Sequence, residues 1–336
     1  MTGRRPDPVR PEGRDRPDSG VSCRSHSLSA VGTPAITYRN LALLADAGRW
    51  DDLLSLAADP GVPVDERREV AHVVALEAPA SLAVAAAQLF PDDDYGFLGP
   101  LWQVVAQHRP WRELAPHLTQ RRVRDLVAQT RVLHGEDLRD ADDVRSAVPL
   151  RLAAWEAARW DPEWDIPECG RSTSSSGLLW YFPGPLSDPT IPSDTPAEPI
   201  AHPAVAVLDR LAAVPPGADR RAARAAAFRG SAWAAAAATV PGVEAAQVRF
   251  TDAYKYLVSL ASGDVAYGRA TGRALGRSRL WEALRAMAGD PEVDAFVGRL
   301  RCVAWAPARY TLYSMQIAME DPEQGISWVL VGADDD

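Results

Sequence analysis

Residues 161–203 contain nine prolines, at positions 162, 167, 183, 185, 189, 192, 196, 199 and 203. Proline lacks a backbone N–H and fixes φ, so neither a long helix nor a central strand can run through such spacing. The stretch therefore reads as a linker that splits the chain. It is acidic, with seven Asp or Glu against one Arg, and 171–177 is a Ser-rich run. Trp160, Trp164, Trp180, Tyr181 and Phe182, in and beside it, are more aromatic than a solvated linker needs. Those rings are expected to anchor the strap to a lobe surface. With 336 residues in all, the segment on each side is long enough to bury a core.

The segment before the linker, 34–160, reads as helical. Tyr38, Leu41, Leu44 and Ala45 fall at helical spacing, with Gly48 as a stop. Trp50–Leu56 begins a second helix that ends at Asp59-Pro60-Gly61. Val70, Val73 and Val74 mark a third, which Pro79 interrupts. Ser81–Phe90, Phe97–Gln107, Trp111–Leu118 and Arg121–Leu133 complete the set. Arg49-Trp50-Asp51-Asp52-Leu53 is echoed by Pro110-Trp111-Arg112-Glu113-Leu114, which suggests short antiparallel helix pairs of solenoid-like form. Residues 204–332 are rich in Ala and Arg, and the strongest hairpin signal closes them. Arg309–Ala318 and Gly325–Val331 are apolar runs joined by the turn-rich 320–325. The expected fold is mainly α, with a helical N-terminal lobe and an α+β C-terminal lobe ending in a β-hairpin. Residues 1–33 read as a disordered extension and 333–336 as an acidic tail.

Charge is segregated along the chain. The net charge of −9 resolves into +2 for 1–33, −5 for 34–160, −6 for 161–203, +6 for 204–319 and −6 for 320–336. A basic lobe set among acidic segments predicts docking between lobes or masking by the tail. A charge of +6 over 116 residues is low for nucleic-acid binding, so nucleic acid is not an expected partner. No apolar run approaches the length of a membrane span, and no apolar h-region follows Arg4 and Arg5. Three scattered cysteines, Cys23, Cys169 and Cys302, form neither a disulfide framework nor a metal knuckle, which predicts a cytoplasmic protein.

Most catalytic signatures are missing. No two glycines lie two apart, so GxGxxG cannot occur, and Lys255, the only lysine, follows Tyr254 rather than Gly. HExxH, GxSxG and kinase motifs are also missing. Glu69 and His72 form an ExxH, but the second such pair that a di-iron site needs does not occur. Asp92-Asp93-Asp94-Tyr95-Gly96 lacks the ligand order of a calcium loop. No cofactor and no metal is expected.

The most specific pattern is Gly268-Arg269, Gly272-Arg273 and Gly276-Arg277, repeating every four residues. On a helix this makes a glycine stripe beside an arginine stripe, which Arg279 and Arg285 extend. Each helical Gly costs ~1 kcal/mol relative to Ala, and close backbone packing is the natural offset. Arg269, Arg273, Arg277 and Arg279 are accordingly the candidate site for an anion or an acidic partner. Two stretches, Pro149–Glu156 and Trp305-Ala306-Pro307 through Gly332, resemble segments of uncharacterised actinobacterial proteins, over a region starting near residue 34. That resemblance implies no activity, ligand or site. The first functional expectation is a non-enzymatic interaction or adaptor protein. The alternative is an enzyme or binding module for an anionic small molecule held on the arginine stripe.

Overall fold

Prolines open several of the helices. Pro63, Pro79, Pro100 and Pro110 each sit at the N-cap of a helix in the N-terminal half. A proline is compatible with a helix start, because the first N–H groups have no intrahelical partner, and it prevents the preceding helix from continuing. In this computed structural model the described residues are 38–91, 99–141, 143–156, 180–183, 186–191, 197–211, 223–263, 271–289, 292–307 and 313–334. Residues 1–33, the 92–94 acidic run, Trp160, Trp164, Cys23, Cys169 and the 171–177 run lie outside them.

The N-terminal half is helical. It comprises α1 (Tyr38–Asp46), α2 (Trp50–Ala58), α3 (Val64–Glu77), α4 (Ala80–Leu89), α5 (Leu101–His108), the single turn α6 (Trp111–Leu114), a 3-10 turn at Ala115–His117, and α7 (Arg121–Leu133). Helix α3 packs against α2, α4 and α5, and α5 packs on α7. Long side chains serve the ends of these helices. The Arg109 guanidinium donates to the carbonyls of Ala75, Leu76 and Ala78 at the end of α3. Gln88 accepts from the N–H groups of Thr119 and Gln120 just before α7. Both contacts satisfy backbone groups that a helix cannot satisfy itself, and they fix one helix against another.

The C-terminal half adds β1 (Trp180–Phe182), β2 (Glu198–Ile200), α8 (Pro203–Leu211), β3 (Arg224–Arg229), α9 (Ala232–Thr239), β4 (Ala245–Val248), α10 (Phe250–Ala261), α11 (Arg273–Ala288), α12 (Val293–Arg299), β5 (Arg301–Trp305), β6 (Tyr313–Asp321) and β7 (Ile326–Asp334). The strands form one seven-stranded sheet in the order β2-β3-β7-β6-β5-β4, with β1 parallel to β6 off that path. Side chains alternate between its two faces. Cys302, Ala304, Ile317, Met319, Trp328 and Leu330 pack on the side of α8, α10, α11 and α12. Val303, Trp305, Ala318, Val329 and Phe228 pack under α9. The result is a three-layer sandwich with both faces of the central strands buried.

The closing hairpin is observed as β6 and β7, turned through Gly325 at φ +63. It is the centre of the sheet rather than an appendage, because β3 flanks it on one side and β5 on the other. Alanine-rich β3 and β4 do not announce themselves by composition; their place is set by pairing. The described parts of 161–203 also enter the sheet. β1 pairs with β6, β2 pairs with β3, and Thr190 bridges Ala245. Phe182 is buried, its ring 5.2 Å from that of Tyr256. The acidic side chains of 320–336 are partly structural. Asp321 holds Arg299 in a two-pronged ion pair at 2.9 and 2.8 Å, and Glu320 accepts from the Ala232 N–H at the start of α9.

Candidate functional site

The glycine–arginine repeat does not form one continuous helical stripe. Helix α11 starts at Arg273, and Gly272 lies just before it at φ +94, a region closed to most side chains. A Cβ at Gly272 would stand 2.3 Å from the Trp102 ring of α5. Gly276 is helical, and a Cβ there would stand 2.1 Å from Ser262 Oγ and 2.6 Å from the Val258 carbonyl. Both glycines thus serve close approach: Gly272 to α5, Gly276 to α10. Gly268 and Arg269 lie outside the described residues.

The remaining arginines turn inward. Arg273 is buried; its backbone N–H donates to Gln103 Oε1 and its guanidinium to Ser259 Oγ, each at 2.8 Å. Arg279 donates to the Ala261 carbonyl at 2.6 Å and to Thr271 Oγ1 at 3.1 Å, closing the end of α10. Arg277 is fully buried, and all five of its N–H bonds are used. Nε and Nη2 clasp the Glu156 carboxylate at 2.7 Å each. Nη1 donates to Gln129 Oε1 of α7 and to the Pro149 carbonyl, and Nη2 also reaches the Arg151 carbonyl.

Glu156 is equally saturated. Tyr254 Oη, Trp281 Nε1 and the Ala153 N–H donate to it at 2.8, 2.9 and 2.8 Å, besides Arg277. Burial alone would push its carboxyl pKa up, but the hydrogen bonds and charge of Arg277 outweigh this and hold it below the ordinary value. The Tyr254 hydroxyl is driven the other way, well above its ordinary value, by burial and by the adjacent Glu156 charge. Trp155 closes the cluster, its ring 5.2 Å from Trp281, 5.6 Å from Tyr254 and 5.7 Å from Phe250. One network therefore ties α7, the 146–156 segment, α10 and α11 together. An anion seated on Arg277 would have to replace Glu156.

A second place lies at the β2–β3 edge of the sheet. An open groove of about 430 Å³ runs between α8 and the β2–β3 edge. Its walls include Pro199, Ile200, Val205 and Ala227, with His202 and Asp209 as the polar members. His202 Nδ1 accepts from the Ala204 N–H at 3.2 Å and from Trp328 Nε1 at 3.3 Å. Asp209 Oδ1 accepts from the Ala225 N–H at 2.8 Å. Burial lowers the His202 pKa, which favours the neutral ring.

Arg277 was singled out from the sequence, but its partner Glu156 was not, and nothing in the sequence marked the groove. Glu156 stands 121 residues from Arg277, and no periodicity links such distant partners. His202 offered one weak signal: it immediately precedes Pro203 and the apolar run of α8. Glu69 and His72 lie on α3, where His72 is buried in the lobe core. Among the described residues, no group of three His, Cys, Asp or Glu side chains is gathered to hold a metal ion. Cys302 is buried, and its thiol pKa is pushed up to about 12, mainly by burial. No helix among the described residues is long and apolar enough to cross a membrane. Comparison with models of protein families, with curated proteins and with solved structures gives no match.

Proposed function

We infer that the chain is a non-enzymatic interaction protein whose helical half presents a partner surface on a rigid base. The observation that carries this reading is where large apolar side chains remain in contact with water. Of the four exposed ones among the described residues, three belong to the helical half: Leu43 at 60% exposure, Val64 at 48% and Leu89 at 37%. Val64 opens α3 and Leu89 ends α4. These two helices are joined by a connection of two residues, so both positions lie at the same end of the pair. The helix pairs are read as a short, solenoid-like stack, an architecture that offers an extended side surface to a partner. The buried Glu156–Arg277 network supports the reading from below, since it fixes α7 to α11 and α10 and gives the stack a stiff footing.

The test is affinity capture from the native host with the full chain and with a Leu43→Asp/Val64→Asp/Leu89→Asp variant. All three changes lie at exposed positions, so the variant is expected to keep its melting temperature. A specific partner should be recovered with the wild type and lost with the variant. Recovery of the same proteins by both, or of none by either, would sink the proposal.

A further inference from the structure

We propose that the groove between α8 and the β2–β3 edge binds a small uncharged ligand with an apolar body and one carbonyl or hydroxyl oxygen, which accepts a hydrogen bond from His202 Nε2. The site is separate from the partner surface inferred above, and neither proposal depends on the other. Three observations lead to this chemistry.

The first is size and lining. A groove of about 430 Å³ falls within the range of small-molecule sites, and mostly aliphatic walls with few polar groups are the usual make-up of such sites. Apolar walls select an apolar body, because only such a body gains from leaving water there.

The second is the state of the imidazole. Nδ1 receives two N–H donors, the Ala204 backbone and the Trp328 indole. An acceptor of two donors carries no hydrogen, so the proton of the neutral ring is on Nε2. Trp328 is fully buried in the core behind His202, and His202 itself is only half-buried. The ring is thereby held by its inner nitrogen and offers its other nitrogen as a donor. It also cannot turn over to present an acceptor without breaking both bonds. A fixed donor on an apolar wall recognises an oxygen acceptor.

The third is charge. Asp209 lines the same groove, and its carboxylate is held in place by the Ala225 N–H. The mostly aliphatic walls cannot replace the hydration of an anion, and among the described residues no arginine or lysine lines the groove to pair with one, which separates this site from one built on arginines.

The probe is camphor, an uncharged bicyclic ketone, with camphor-10-sulfonate as its anionic counterpart. The full chain is labelled with 15N-histidine, and the His202 resonances are assigned by their loss in His202→Gln. The free protein should show the Nε2-protonated neutral tautomer at His202. Camphor should shift the Nε2 signal saturably, and the sulfonate should bind about tenfold more weakly. Ala206→Phe, at an exposed position lining the groove, fills the cleft without touching the core. It should abolish the shift while leaving the melting temperature unchanged. The proposal is overturned if the proton sits on Nδ1 or if camphor leaves Nε2 unmoved up to its solubility limit. It is equally overturned if the sulfonate binds as well as camphor, or if Ala206→Phe leaves the shift intact.

Discussion

Replacing Arg277 with Met tests whether the buried Glu156–Arg277 network holds the two halves together. Methionine keeps the length and apolar stem of the side chain and removes the guanidinium. Glu156 is then left as a charge with no side-chain exposure, and three acceptors lose their donor: Gln129 Oε1 and the carbonyls of Pro149 and Arg151. Removing one partner of a buried pair costs about 3–5 kcal/mol, chiefly because the other charge stays buried. Each abandoned acceptor adds to that unless water enters or the backbone shifts, with ~1 kcal/mol as a lower limit per group. Total stabilities run to about 5–15 kcal/mol, so the loss is a large fraction of what is available. For a chain of this size it corresponds to a fall in melting temperature of roughly 6–10 °C. Urea unfolding followed by tryptophan fluorescence and by far-ultraviolet circular dichroism gives the measurement. The two probes should report one transition in the wild type, since the network joins α7 to α10 and α11. Adding Glu156→Gln should recover part of the loss, with a coupling of about 2–3 kcal/mol. A cost below ~1 kcal/mol for Arg277→Met, or no coupling with Glu156, would refute the assignment of the network as the joint between the halves.

Other outcomes follow from the same geometry. Gly276→Ala should destabilise by about 1–3 kcal/mol, because α10 and α11 must separate to admit the methyl group against Ser262 and Val258; a neutral result by chemical denaturation would exclude the tight crossing. Glu156 and Asp321 both titrate below their ordinary values in the folded chain. Their contribution is therefore complete above the unfolded carboxylate range of about 4 and is lost as pH falls through the lower native values, so acid unfolding should be shallower in Arg277→Met than in wild type. His202 is also depressed, so its contribution is complete above its unfolded pKa of about 6.5 and declines as pH falls through the native value; His202→Gln should flatten that part of a stability profile taken between pH 7 and 5. Cys302, buried and with a thiol pKa near 12, should resist iodoacetamide in the native chain and react once urea unfolds it, as read by peptide mass mapping.

The helical half was legible because its signals are local. Apolar spacing, the stop at Gly48 and the prolines at 63, 79, 100 and 110 mark where helices begin and end, and α7 has the bounds that its pattern predicts, Arg121–Leu133. The hairpin of β6 and β7 was legible for the same reason: two apolar runs flank one turn. The rest of the sheet was not. β3 and β4 are alanine-rich, and β2 holds Pro199, so their strand character comes from the neighbours they pair with. The glycine–arginine repeat was visible as a pattern, but its meaning was not, because direction in space decides whether an arginine meets solvent or a carboxylate.

The sequence by itself determined the helical first half, the closing hairpin and the need for tight packing at Gly272 and Gly276. Those are matters of periodicity, turn chemistry and the size of a missing side chain, all of which act between near neighbours. Tertiary structure alone decided that Arg277 is joined to Glu156, and that His202 is held by Trp328 beside an apolar groove. A buried charge must find its partner wherever the fold brings one within hydrogen-bonding distance, and nothing along the chain records that distance.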